Sequence, residues 1–383
     1  MAAILLRGLW LVTGALAVGG PLAAQTIAQR VGEVRDGRVR MSFAAREGVC
    51  GWGEGGRTVN HRWRSDDWEN ACEGGPVRVV MRIQSGVPTD LDTYIGGRWR
   101  TRPDVTDLGD MPAREAAEYL LGLAEDFDDD VGKDAIFPAA MADSVTVWPD
   151  LARIAQNDSR PLDIRKQAVF WIGQDTDDGA ADVLEDVLGS SLEHEIREQA
   201  IFALSQHDSD RSTTVLRDFA ASRRESRRLR ERAIFWLGQE GDEDAAEFLR
   251  NLYRETSEKD LKERILFSLS QMREVGNEQW LLAIASDAEE SMQLRERAIF
   301  WTGQTPNSTA ELVDLYDRMT NASLRERLIF ALSQQRRDPE AMEKLMDIAR
   351  GDPDRELRGK AMFWLGQSRD RRAADFLADL INR

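Results

Sequence analysis

Phe170-Trp171-Ile172-Gly173-Gln174, Phe202-Ala203-Leu204-Ser205-Gln206 and Phe235-Trp236-Leu237-Gly238-Gln239 open a series of near-identical pentapeptides. It continues with Phe267-Ser268-Leu269-Ser270-Gln271, Phe300-Trp301-Thr302-Gly303-Gln304, Phe330-Ala331-Leu332-Ser333-Gln334 and Phe363-Trp364-Leu365-Gly366-Gln367. Successive phenylalanines lie 32, 33, 32, 33, 30 and 33 residues apart. A fixed period between about 20 and 50 residues marks a solenoid, because each unit buries its apolar face only against its neighbours. That architecture favours an extended binding surface over an enclosed catalytic pocket.

Each unit reads as two helices. One is variable and amphipathic, as in Ala180 to Leu188 or Ala245 to Tyr253. The other starts with basic and acidic residues and runs into the Phe motif, as in Leu294-Arg295-Glu296-Arg297-Ala298-Ile299-Phe300. Gly or Ser near its end, followed by acidic loops such as Asp175 to Asp178, stops it and favours the next helix start. Trp and Ala or Ser alternate after the Phe. This predicts large-against-small packing between neighbours and a true repeat of four helices.

The chain has 383 residues and a formal net charge of −17. A solenoid escapes the size limit of a single core. The acidic balance argues against nucleic-acid binding, which needs a basic face. Met1 to Ala24 has the form of a secretory signal: Arg7 is its only charge, Gly8 to Gly19 is apolar, and Leu22-Ala23-Ala24 offers a cleavage site. The expected mature protein is exported, periplasmic or secreted, and carries no membrane span. Export predicts a disulfide between Cys50 and Cys72, the only cysteines.

Residues 25–102 contrast with the rest. They hold thirteen arginines, no lysine and ten acidic residues. Val39, Met41 and Phe43 alternate with polar residues, Val77 to Gln84 is β-rich, and Tyr94-Ile95 precedes Gly96-Gly97. A small disulfide-stapled β module is expected here, with Cys50 and Cys72 bracketing a Gly- and Trp-rich loop. The boundary is expected between Pro103 and Pro112. The solenoid would then fill 112–383, with an atypical capping repeat at 112–142, because Phe137 lies 33 residues before Phe170. A lone helix at 371–382 would cap the other end.

The repeats resemble HEAT repeats, in particular the short bilin-lyase-like subclass, whose second helix has the form Val-Arg-x-x-Ala-x-x-x-Leu-Gly. Leu229-Arg230, Ala233, Leu237 and Gly238 match it, as do Leu357-Arg358, Ala361, Leu365 and Gly366. The resemblance covers about 112–383 and implies a mainly α fold, a right-handed α-solenoid. It also implies a scaffold whose concave side binds partners. No family is recognised for 25–102.

On the second helix Leu294, Ala298, Trp301 and Thr302 fall on one expected buried stripe, and Phe300 falls off it. In HEAT-like repeats that position tends to face the concave side. Phe170, Phe202, Phe235, Phe267, Phe300, Phe330 and Phe363 are therefore the candidate apolar strip. Arg232, Arg264, Arg297 and Arg327, with Gln239, Gln271, Gln304 and Gln334, are the candidate polar rims. The sequence leaves open whether each Phe meets a ligand or packs on its neighbours, whether each Gln bonds free carbonyls, and whether each Arg pairs only with a neighbouring Glu.

Catalytic and metal signatures are lacking. HEAT-like deoxyhypusine hydroxylases bind iron through His-Glu pairs before the second-helix Ala. The matching positions here, such as Glu198-Gln199 and Glu296-Arg297, hold none, and His194-Glu195 is out of register. Asp126-x-Asp128-x-Asp130 starts like a calcium loop but has Val131 where Gly is needed. No metal and no cofactor are expected. The expected function is non-enzymatic binding of a protein or peptide. The alternatives are a spacer or assembly factor of a cell-envelope complex and, lastly, an enzyme with a site at the domain seam.

Overall fold

The computed structural model describes residues 25–51, 59–60, 73–191, 193–272, 276–305, 308–335, 338–368 and 370–381. They divide into two compact units, Met1–Val145 and Thr146–Arg383.

In the first unit, α1 (Ile27–Gly32) precedes β1 (Gly37–Phe43), β2 (Val49–Gly51), β3 (Val59–Asn60) and β4 (Glu73–Gly74). Then come β5 (Val77–Gln84), β6 (Val87–Ile95), β7 (Val105–Asp110), α2 (Ala113–Asp126) and α3 (Asp130–Ala140). A four-stranded sheet has the order β6-β5-β1-β7, and β3-β2-β4 form a second, smaller sheet. Period-2 alternation sends Val39, Met41, Phe43, Val77, Val79, Met81 and Ile83 to one buried face. The expected strands at 39–43, 77–84 and 94–95 are all found. β7, which runs parallel to β1, was not foreseen.

The helix pair α2–α3 corrects the expected boundary and the expected capping repeat at 112–142. Its apolar residues, among them Leu120, Ala124, Val131 and Ile136, are buried, and α3 packs on β5 and β6. The Tyr119 hydroxyl on α2 lies 3.7 Å from Met81 Sδ on β5, and burial pushes its pKa up to about 12. After α3 the chain pairs back onto the end of β1: Arg46 N donates to Met141 O and Asp143 N to Ala44 O, each at 2.9 Å. These helices therefore cover a sheet, and the unit ends at Val145. Asp129 caps α3 by accepting from Val131 N at 3.0 Å.

The second unit is an α-solenoid. Its first-type helices are α4 (Trp148–Gln156), α6 (Asp178–Ser190), α8 (Asp210–Ala221), α10 (Glu243–Glu255), α12 (Glu278–Ser286), α14 (Thr309–Arg318) and α16 (Pro339–Gly351). Alternating with them are α5 (Leu162–Ile172), α7 (His194–Gln206), α9 (Arg227–Glu240), α11 (Lys259–Gln271), α13 (Met292–Gln304), α15 (Ala322–Gln334) and α17 (Arg355–Gln367). α18 (Arg371–Ile381) follows α17, where a closing helix is expected. The second-type helices pack more closely on one another than the first-type helices do, so theirs is the inner, shorter side of the stack. Ser226, Ser291, Asn321 and Asp354 cap second-type helices through their side chains. Cys50 is buried on β2, whereas Cys72 and most of the Gly- and Trp-rich loop lie outside the described residues.

Candidate binding face

The buried stripe of the second-type helices is set by small and branched residues. On α13 it comprises Leu294, Ala298, Ile299, Thr302 and Gly303. Trp301, expected on that stripe, is only half-buried and belongs to an aromatic row on the inner side. The reason is steric: the glycines occupy the position where neighbouring helices come closest. A Cβ at Gly173 would lie 2.6 Å from the Ala203 carbonyl oxygen, one at Gly238 would lie 2.6 Å from Ser268 Cβ, and one at Gly303 would lie 2.7 Å from Ala331 Cβ. The small residues Ala203, Ser268 and Ala331 thus face glycine, where facing Trp was expected. Large rings are excluded from those contacts and displaced onto the row. The four-helix repeat inferred from the Trp and Ala/Ser alternation appears here as the pairs α5/α7, α9/α11 and α13/α15.

The row itself follows the same pairing. Within each close pair two Phe rings stack nearly parallel: Phe170 on Phe202 at 6.2 Å, Phe235 on Phe267 at 6.4 Å, and Phe300 on Phe330 at 6.2 Å. Between pairs a Trp bridges, with Trp236 at 5.0 Å from Phe202, Trp301 at 5.0 Å from Phe267 and Trp364 at 5.2 Å from Phe330. Each Trp also meets the Phe before it in sequence edge-on, as Trp301 does Phe300 at 4.9 Å. Such contacts contribute roughly 0.5–1.5 kcal/mol each beyond area burial. The rings from Phe170 to Phe330 are half-buried, and Phe363 is 56% exposed. Each Phe therefore packs on its neighbours and still presents part of its ring.

The arginines beside this row reach back to the preceding copy. Arg232 lies 3.6 Å from Glu198, Arg297 3.5 Å from Glu263 and Arg327 3.4 Å from Glu296, and Lys360 extends the rail to Glu326 at 2.7 Å. Arg264 instead lies over the Phe267 ring at 5.7 Å. The rail side chains of Arg232, Arg297 and Arg327 are 50–56% exposed. Exposed pairs contribute only about 0–1 kcal/mol, so they exchange readily for other carboxylates. The glutamines do not bond one another. Gln271 and Gln334 donate to Ser270 and Ser333 at 3.2 and 3.1 Å, while Gln239 and Gln304 are exposed. Those serines also bond back to the Phe carbonyl, 2.7 Å for Ser270 and 2.6 Å for Ser333. Between α13 and α15 the face opens into a groove of about 510 Å³ lined by Gln293, Glu296, Arg297, Phe300, Arg327 and Phe330.

A second cationic row escaped the sequence reading. It sits five residues before each Phe, at Arg165, Arg197, Arg230, Lys262, Arg295, Arg325 and Arg358. Arg165, Arg230 and Arg295 each donate Nε to a last-turn carbonyl of their own first-type helix, namely Ala155, Ala220 and Ala285, at 2.9–3.0 Å. Arg165 and Arg230 then reach an acid ahead of the next second-type helix, Glu193 at 2.9 Å and Glu258 at 2.5 Å. Lys262 does the equivalent with Glu290 at 2.7 Å. Burial pushes the Glu290 carboxyl up, but bonds from Lys262, the Ser291 amide and Tyr253 more than offset it and hold it below its ordinary value. This row ties repeat to repeat. Its signal was the Leu-Arg pair of the HEAT-like motif, which reads as a helix start when only the apolar period is followed.

Among the described residues no group of three or more His, Cys, Asp or Glu is placed to hold a metal, and no helix is long and apolar enough to cross a membrane. Residues 309–383 match the HEAT-repeat family. Three solved structures are similar in part. Human deoxyhypusine hydroxylase is 19% identical, with 67% of this chain and 98% of that chain covered at a TM-score of 0.28. The CpcE–CpcF complex of phycocyanin lyase from Nostoc sp. PCC7120 is 17% identical, with 62% and 95% covered at 0.30. Lipovitellin is 12% identical, with 80% of this chain and 40% of that chain covered at 0.50, a likeness of fold alone. No curated protein matches the chain.

Proposed function

We propose that this chain, a HEAT-repeat protein by its matched repeats and its stacked helix pairs, is an exported, non-enzymatic scaffold that grips a protein or peptide along its aromatic row. The observation that carries this reading is the row's continuity. Half-buried rings follow one another from Phe170 to Trp364 and end on the exposed Phe363, flanked by an exchangeable Arg–Glu rail. An apolar strip with polar rims is the surface type that takes an amphipathic helix or an extended segment. The groove between α13 and α15 supplies a seat, and its ionisable lining residues are Glu296, Arg297 and Arg327, with no nucleophile among them.

The test is photo-crosslinking in the native host from two positions, Gln304 beside the row and Asp347 on the exposed side of α16. The expected result is a partner captured from position 304 and not from 347, whose binding to the purified protein weakens about tenfold or more in the R297E/R327E double variant. Equal capture from both positions, or unchanged binding by the double variant, sinks the reading.

Export and the Cys50–Cys72 crosslink belong to the same proposal. Cys50 sits in the small sheet with 4% exposure, and a crosslink from it would remove chain entropy from a Gly-rich stretch of sequence. Intact mass of the protein from its host should correspond to a chain starting at Gln25, two hydrogens lighter than the dithiol. Alkylation before reduction should leave it unchanged. A full-length mass, or two alkylated thiols, contradicts this part.

A further inference from the structure

The outward face of the four-stranded sheet carries an arginine-walled pocket of about 180 Å³, roughly six water volumes. Five arginines line it: Arg38, Arg40, Arg82, Arg100 and Arg102. Its remaining wall is Val80, Tyr94, Trp99 and Val105, with Asp90 and Asp92 along β6. In an acidic protein this is a local reversal of charge.

Two of the arginines on this face are structural. Arg40 bonds Asp107 at 2.8 Å and the Arg100 carbonyl at 2.8 Å. Arg78, at its edge, bonds the Gly96 and Gly97 carbonyls at 3.0 and 2.9 Å. Their guanidiniums lie over Trp99 at 5.1 and 5.2 Å from the ring centroid, so segment 96–100 is clamped onto the sheet. That clamp brings Arg100 and Arg102 to the pocket's wall.

Arg38 stands directly opposite Arg82 across β1 and β5, a like-charged cross-strand pair that costs stability unless an anion lies between. Asp90 answers Arg82 at 3.5 Å. Among the described residues nothing bonds the guanidiniums of Arg38, Arg100 or Arg102. The Trp99 indole N–H is buried and has no acceptor there.

We propose that this pocket binds a phosphate group. A single carboxylate, planar and singly charged, satisfies one guanidinium fork. Three guanidiniums that no described residue bonds, gathered at one cavity, call for more acceptor atoms and more negative charge. A tetrahedral phosphomonoester supplies both. Val80, Tyr94 and Val105 would contact the ester's carbon portion. The phosphate can be free in solution or presented by a lipid headgroup.

The experiment titrates the full mature protein with inorganic phosphate at ionic strength held constant with chloride, and follows heat and the Trp99 indole resonance, assigned with W99F. Phosphate should bind and shift that resonance. The R38Q/R100Q variant should bind about tenfold or more weakly with its melting temperature in phosphate-free buffer no lower than that of the native protein, and R98Q should bind like the native protein. In parallel, the proteins are sedimented with phosphatidylcholine vesicles containing or lacking phosphatidic acid. Binding of free phosphate alone assigns the site to soluble phosphomonoesters. Sedimentation that depends on phosphatidic acid, Arg38 and Arg100 assigns it to a headgroup. Loss of both, an equal response to chloride, or an unchanged R38Q/R100Q variant overturns the proposal.

Discussion

Gly173→Ala lowers the stability of the helix stack by about 2–3 kcal/mol, whereas Gly366→Ala raises it by roughly 0.5–1 kcal/mol. Both glycines hold the same place in the same pentapeptide, so the motif alone assigns them one role. The packing does not. A Cβ at Gly173 meets the Ala203 carbonyl oxygen at 2.6 Å, its Cβ at 2.7 Å and its Cα at 2.8 Å. Two of those three atoms are backbone, so relief requires α5 and α7 to separate and the Phe170–Phe202 stack to loosen with them. At Gly366 the nearest atom beyond the helix is Leu377 Cδ1 at 4.0 Å. Alanine there removes only the helix-interior penalty of glycine. Urea unfolding of both variants followed by circular dichroism reads the difference, and two midpoints that move together would show that the close α5–α7 approach is absent. Gly238→Ala is expected to cost about as much as Gly173→Ala, since the 2.6 Å contact is with Ser268 Cβ, whose position the backbone of α11 fixes.

The repeat was legible because each copy keeps an aromatic and a small residue at a fixed spacing. The spacing of Phe137 from Phe170 then extended the solenoid too far. A helix with one apolar stripe buries it against whatever is nearest, and Leu120 and Ile136 fit a sheet as well as another helix. The departures from the motif at Pro138 to Met141 were the true signal. β7 stayed hidden because Leu108 is its only buried residue, too little for an alternating pattern. The candidate Phe residues were found by position relative to the stripe. Their stacking, and the role of Trp as a bridge, depends on the glycine contacts, which a one-dimensional period does not contain. Arg165 was passed over because charge reads as surface. It lies one residue beyond Ile164 at the edge of the buried stripe, where its stem packs and its fork finds partners.

Arg165 is where the largest single loss of stability is expected. Its side chain is 1% exposed, and its guanidinium makes three bonds: Nε to Ala155 O at 3.0 Å, Nη2 to Asp158 at 2.8 Å and Nη1 to Glu193 at 2.9 Å. Arg165→Ala removes them together. It leaves the Ala155 carbonyl, at a buried helix end, without its partner, and strips Glu193 of its cation while Oε2 of that carboxylate is already buried and unbonded. Breaking a buried pair from one side costs about 3–5 kcal/mol, and because Asp158 and Glu193 keep some access to water the expected cost is near the lower end, about 3 kcal/mol. Arg165→Lys should recover part of it, as Lys262 does at the equivalent place with a single bond to Glu290, but one ammonium does not span three acceptors. Arg297→Ala on the exposed rail should change stability by no more than about 0.5 kcal/mol, since its 3.5 Å pair with Glu263 is held in water. Hydrogen exchange separates these cases: Arg165→Ala should raise exchange in α4, α5 and α7, and Arg297→Ala should raise it nowhere. Equal protection in all three proteins would mean that the buried arginines do not join one repeat to the next.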